Sequence, residues 1–243
     1  KTMTASGTVI DDGNGGNNYT ISYLTNNSGS ITKAGVNVYA LTDTKVYDGN
    51  ATSDEVPEVT GIIEPDDIAA FPTQSYIDRH AGTGKTLIPQ GLVINDGNSG
   101  NNYQVSYHNN LTGEITPAAV TVTAQTSTKV YDGNTSSSAI PEVSGIIPPD
   151  DIQSTPIQEY ETKHAGTGKT MIASGLVIND GNSGNNYQVS YVPDFTGVIT
   201  TAAVTVIAQT DEKTYDGTVL SDSEPVILGI ISPDAVAVAP VQA

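Results

Sequence analysis

The chain repeats itself, and the length of the repeat decides what it can fold into. Tyr47, Tyr131 and Tyr215 stand in the matching stretches KVYDGN, KVYDGN and KTYDGT, each 84 residues after the last. His80 and His164 keep that spacing, as do Asp96 and Asp180, and INDGNSGNNYQVSY occurs unchanged at 94–107 and 178–191. A gapless period of 84 is too long for one coil of a solenoid and suits a whole small domain. The spacing places complete copies at 34–117 and 118–201. Residues 1–33 read as the second half of an upstream copy, and residues 202–243 as the first half of a downstream one.

Inside a copy, apolar and polar residues alternate. Tyr103, Val105 and Tyr107 fall on one face of NYQVSY, opposite Gln104 and Ser106, and Val120, Val122 and Ala124 oppose Thr121 and Thr123. Period two is the mark of a half-buried strand, and the expectation is antiparallel pairing with both tyrosines of NYQVSY in the core. Further strands are expected in EVSGII, PIQEYE, TMIASGLVI and GVIT, punctuated by Asp-Gly and Pro-Asp-Asp turns. No segment sustains a 3.6-residue period, and PPDDIQ offers at most one helical turn capped by Asp150 or Asp151. About seven short strands per copy predict an all-β fold, a small immunoglobulin-like sandwich, with a β-grasp arrangement as the alternative. Only TPA, TKA or TTA separates one copy from the next, so close end-to-end coupling and a rod of modules are expected.

Composition narrows the partners. Nine Lys and Arg against 27 Asp and Glu give a formal net charge of −18, which repels nucleic acid and anionic membrane surfaces. No apolar run approaches the roughly 20 residues needed to cross a bilayer as a helix. There is no Cys, which excludes disulfides and thiolate metal sites.

One motif invites a sharper reading. HAGTGKT, at 80–86 and 164–170, ends like a phosphate-binding loop. That loop needs a glycine five residues before its second Gly, where this chain has Arg79 and Lys163, and it must open a helix. Pro89 and the glycines that follow rule such a helix out, so the stretch is expected to be a Gly-rich turn between strands. In the YDG tripeptide, Asp48-Gly49 is a strong turn signal. Tyr47 is expected to bury its ring beneath that turn and reach a backbone group, with Tyr131, Tyr103 and Tyr187 also buried.

Candidate chemistry is sparse. His80 and His164 lack a recurring carboxylate or nucleophile, since Asp78 becomes Thr162, and His108 is replaced by Leu24 and Val192. Calcium could draw oxygens from Asn95–Asn102 and from the acidic pairs Asp66/Asp67 and Asp150/Asp151, but the spacing fits no calcium loop. Lys45, Lys129 and Lys213 could in principle crosslink to a nearby Asn. No catalytic, cofactor-binding or metal-ligating residue is assigned, and the chain is read as non-enzymatic.

Together, ITPAAVTVTAQTSTKVYDGNT, SGIIPPDD, HAGTGKT, SGLVINDGNSGNNY and GVIT, in that order, resemble the YDG repeat of large bacterial surface proteins. These include filamentous-haemagglutinin-type adhesins. The resemblance spans essentially the whole chain. It implies an extracellular, secreted tandem module that builds stalks or filaments at the bacterial surface. The partners it implies are neighbouring repeats and other copies of the filament, and it transfers no site residues. A calcium- or glycan-binding adhesion module is the alternative. The out-of-phase ends imply either a longer continuous chain or halves that complete each other between molecules. The first is favoured, because HAGTG would be missing from a joined module.

Overall fold

The computed structural model describes residues 1–243, and it contains strands and turns but no helix. The complete second copy shows the plan. Its strands are β10 (Ala118–Thr123), β11 (Thr128–Val130), β12 (Glu142–Ser144), β13 (Asp151–Ser154), β14 (Ile157–Tyr160), β15 (Gly166–Ser174), β16 (Val177–Asn179), β17 (Tyr187–Val192) and β18 (Asp194–Thr200). They form three small sheets, ordered β12-β10-β17, β11-β18-β15-β14 and β13-β16. The first copy carries the matching strands β1 (Ala34–Tyr39), β2 (Thr44–Val46), β3 (Glu58–Thr60), β4 (Asp67–Ala70), β5 (Thr73–Tyr76), β6 (Gly82–Gln90), β7 (Val93–Asn95), β8 (Tyr103–His108) and β9 (Asn110–Thr116). β19 (Thr205–Ile207) and β20 (Val226–Leu228) pair near the C-terminus. The fold is thus all-β, a repeat of small sandwich-like modules.

The period-two stretches are strands, but their pairing differs from the expectation. β10 lies parallel to β17, with Ala118 opposite Tyr187 and Val122 opposite Tyr191, and β1 lies parallel to β8. Antiparallel partners occupy the other edge, β12 and β3. Alternation fixes which face a side chain takes, and it is silent on the direction of the neighbour.

In the second copy the core collects Val122, Ala124, Tyr160, Met171, Ala173 and Ile199. Met171 occupies the place of Leu87, an exchange of similar volume that leaves both fully buried. The core is thin, and the expectation for the NYQVSY tyrosines fails at one position. Tyr103 and Tyr187 are buried, whereas Tyr107 and Tyr191 are each 43% exposed. Their hydroxyls instead accept the N–H of Leu92 and Leu176 at 3.1 and 3.3 Å. The apolar face of the strand outruns the core beneath it.

GTGKT is not a turn. It begins β6 and β15, and the turn lies just before, at 77–80. Gly168, with φ of +65°, takes the extra residue of a bulge: Thr167 and Lys169 oppose the successive residues Val198 and Gly197. The lysine thereby continues along a strand, so no helix N-terminus exists to receive a phosphate. PPDDIQ forms a turn closed by Asp150 N–H on Ile147 O at 3.0 Å, and no helix.

The chain has two compact units that cut across the copies. One comprises Lys1–Asp43, Thr52–Ile77 and Gly84–Gly113; the other comprises Thr44–Ala51, Asp78–Thr83 and Glu114–Ala243. Two pieces of the first copy, the YDG turn and the stretch through His80, therefore pack with the second copy.

Candidate functional site

That second unit holds the most organised polar cluster of the chain. The Asp150 carboxylate, only 1% exposed, accepts the Tyr47 hydroxyl at 2.7 Å and the Tyr187 hydroxyl at 2.8 Å on Oδ2. On Oδ1 it accepts the Arg79 guanidinium at 2.9 Å. Tyr47 and Tyr187 meet edge to face, with ring centroids 5.4 Å apart. A buried carboxylate is costly unless paired and hydrogen-bonded, and here three donors from three segments satisfy it.

The sequence places each member for a local reason. Lys45 holds the YDG turn by binding Asp48 Oδ1 at 2.8 Å and Asn50 Oδ1 at 3.0 Å, an ordinary ion pair and hydrogen bond. Lys213 has Thr218 where the other copies have Asn, so a Lys–Asn crosslink has no counterpart there. Gly49, with φ of +83°, lets the turn press against the Pro148 carbonyl, since a Cβ at that position would come within 2.9 Å of the oxygen. The Tyr47 ring is buried as expected, but its hydroxyl partner is a carboxylate 103 residues away and not a backbone group.

Beside this cluster, Asp180 organises GNSGNNY. Its carboxylate accepts the N–H groups of Asn182 (2.8 Å), Gly184 (2.8 Å) and Asn186 (3.0 Å). Asn186 is wholly buried, and its Oδ1 accepts the N–H of Ala81 at 2.8 Å while its Nδ2 meets His80 Nδ1 at 3.2 Å. Burial pulls the Asp180 carboxyl upward, yet the three backbone donors outweigh it and hold it below the ordinary carboxylate value. Asp96 and Asp12 build the same loop in their own copies. The Asn95–Asn102 loop thus spends its carboxylate on its own backbone, and no group of three or more His, Asp or Glu comes together to hold a metal ion.

The tyrosines carry the electrostatic signature of the site. Burial, and then the bond to Asp150, push the Tyr47 phenol far above its ordinary range. Burial likewise pushes Tyr187 up to about 12, helped by Asp150 and opposed by the backbone N–H of Ile147. Both phenols stay protonated and remain donors at any physiological pH.

The arrangement recurs one period on. Tyr131 donates to Asp234 Oδ2 at 2.6 Å, and Lys163, in the place of Arg79, lies 3.9 Å from Asp234 Oδ1. Gly133 presses on the Ser232 carbonyl as Gly49 does on Pro148. Tyr131 is only partly buried, a correction to the expectation, and its acceptor Asp234 is 46% exposed where Asp150 is 1% exposed. At the other end Asp66 takes the Tyr103 hydroxyl at 2.7 Å.

Two of the three histidines have side-chain partners. His80 rests against Asn186, and His108 stacks on Tyr39 at 4.5 Å between centroids. Sequence reasoning missed Asp150 and Arg79 as partners, although Asp66, Asp150 and Asp234 recur while the acid beside them becomes Ala235. It also missed the buried glutamines. Gln158 accepts Gln125 N–H and donates to Gln125 O, both at 2.7 Å, and Gln74 does the same for Leu41; P-x-Q at 72–74, 156–158 and 240–242 was their signal.

The YDG domain model matches residues 32–110 and again residues 116–194, more than half of the chain. No curated protein and no solved structure matches the chain. The chain therefore belongs to the YDG domain family and carries two such domains in tandem.

Proposed function

We propose that this chain is a non-catalytic stalk or fibre segment of a large extracellular bacterial surface protein, with the YDG turn as the coupling between successive repeats. The observation that carries the reading is the recurrence of one lock, Tyr47 on Asp150 and Tyr131 on Asp234. Each copy spends its most ordered polar residues on holding its neighbour, which is what a spacer requires. An enzyme or receptor would concentrate them at one open site. The kind of host protein, its surface location and its assembly into filaments are what the likeness to adhesin repeats suggests.

The test is to search for a ligand with the whole chain. Thermal unfolding with and without millimolar calcium should give midpoints within about 1 °C of each other, since an ion that bound well below its concentration would stabilise the fold by several kcal/mol. A glycan array should show no saturable binding. A midpoint rise of several degrees, or a defined glycan ligand, would replace the spacer reading with that of an adhesion module.

A further inference from the structure

Where a chain enters and leaves a module decides how that module meets a pull along the chain. In the second copy the entering stretch carries β10 and β11, and the leaving stretch carries β17 and β18. The two stretches lie side by side and run the same way. β10 is parallel to β17, with Ala118–Thr123 against Tyr187–Val192, and β11 is parallel to β18, with Thr128–Val130 against Val198–Thr200. Backbone bonds continue this seam between and beyond the strands. Ala124 N–H binds Val192 O and Val198 N–H binds Ser127 O, both at 2.9 Å, and Tyr131 N–H binds Thr200 O at 2.8 Å. Side chains stitch it as well. Ser190 donates to Val120 O and Thr200 to Lys129 O, both at 3.3 Å, and the hydroxyls of Thr126 and Thr196 bind each other.

The direction of pairing sets how these bonds are loaded. Were the entering and leaving strands antiparallel, both loaded ends would lie at one end of the pair, and a pull would part the bonds one after another. In a parallel pair the loaded ends are opposite. Ala118 is drawn one way and Thr200 the other, so the bonds between them are sheared together. Only Pro117 separates β9 from β10, so a pull arriving along the chain falls directly on the first bond of the seam. Val120 and Val122 are fully buried and Ile199 is 1% exposed, so water reaches the strained bonds from one face alone. The first copy repeats the device. β1 is parallel to β8 and β2 to β9, Thr42 and Thr112 share a hydroxyl bond at 2.6 Å, and Thr116 donates to Lys45 O at 3.3 Å.

From this pairing we infer that each copy is a load-bearing link, whose parallel seam acts as a shear clamp against tension along the chain. Load crosses directly from residues 118–130 to residues 187–200. Residues 131–186, with Asp150 and most of the GNSGNNY loop, lie off that path. Holding the neighbouring copy and bearing tension are therefore tasks of different residues. The use of such a clamp rests on the stalk reading, but its geometry does not. A ligand found for the chain would overturn the spacer and leave the clamp, and a weak seam would overturn the clamp and leave the spacer.

Single-molecule pulling on the full chain tests it, and the absence of Cys lets thiol handles be placed at will. Ala119→Cys with Thr201→Cys loads the second copy in shear. Ala119→Cys with Gln188→Cys takes register partners at one end of the seam and loads it as a zipper. All three positions are exposed, and circular dichroism should show both variants folded. At one loading rate the shear pair should rupture at no less than about twice the force of the zipper pair, since its bonds resist together. Its length gain, about 270–300 Å less the folded span, identifies the whole copy. Gly175→Ala, added to the shear pair, strains a residue off the load path at φ of +81° with open space around it. It should lower the melting temperature and leave the rupture force unchanged. Equal forces in the two geometries overturn the inference. So does a Gly175→Ala force that falls in step with stability, because the seam would then not be the element under load.

Discussion

Tyr47→Phe and Tyr131→Phe delete the same hydroxyl at the same place in two copies, and the two losses should differ. At position 47 the hydroxyl donates to a carboxylate that is 1% exposed, so water cannot replace it. A hydrogen bond to a charged group contributes about 1.5–3 kcal/mol, and Asp150 keeps only Tyr187 and Arg79 to offset its burial. The ring stays in place, so no cavity term is added. At position 131 the acceptor Asp234 is 46% exposed, and water can take up the lost bond. There the cost should be below about 1 kcal/mol. Both residues lie in the same compact unit, so one urea transition followed by circular dichroism reports both, with the slope checked for two-state behaviour. Equal losses at the two positions, or a loss under about 0.5 kcal/mol for Tyr47→Phe, would refute the claim that burial of Asp150 gives the contact its strength.

Three further outcomes follow from the same geometry. Gly49→Ala and Gly91→Ala share a φ of +83°, but only the first would set a methyl within 2.9 Å of another atom; both should pay about 1–2 kcal/mol of left-handed strain, and Gly49→Ala clearly more. Equal melting shifts for the pair would show that the Pro148 carbonyl yields freely. The raised tyrosines make the fold alkali-sensitive: their contribution is complete below pH 10, the ordinary phenol value, and is lost as pH climbs through about 12 for Tyr187. That is a loss of about 3 kcal/mol, at 1.36 kcal/mol per pKa unit, and circular dichroism followed through a pH titration should show structure kept below ~pH 10 and lost across ~pH 10–12. Gln158→Ala strands the N–H and C=O of Gln125 in a part-buried turn, and should cost about 2–4 kcal/mol in the same urea assay, against little for the exposed Gln104→Ala.

Much of the fold can be read from single residues. Val120 and Val122 alternate with threonines, and they are the fully buried side of β10. Tyr107 shows where such reading ends, since alternation assigns a face without saying how far the core extends beneath it. The parallel partner of β10 begins at Tyr187, and no local pattern specifies a neighbour so distant in sequence. The Asp150 cluster was hidden for a related reason. Arg79 counts against a phosphate loop when the motif is read locally, yet its guanidinium grips Asp150 from 71 residues away. Tyr47 carried a turn signal strong enough to suggest a local partner. The spacing held the needed information, because Tyr47, Arg79 and Asp150 each have a counterpart 84 residues on, and a set that moves together marks a joint.

The fact that compact units and copies do not coincide bears on how such a gene can change length. Turn and carboxylate are encoded within every 84-residue copy, and the contact forms between the turn of one and the carboxylate of the next. Unequal recombination between near-identical copies inserts or deletes whole periods, wherever within the copy the crossover falls. Each resulting gene still sets every YDG turn before an Asp that can receive it, so no new interface has to evolve and no existing one is broken. A lineage could therefore vary its number of repeats as freely as its DNA slips, with the fold imposing no preferred count.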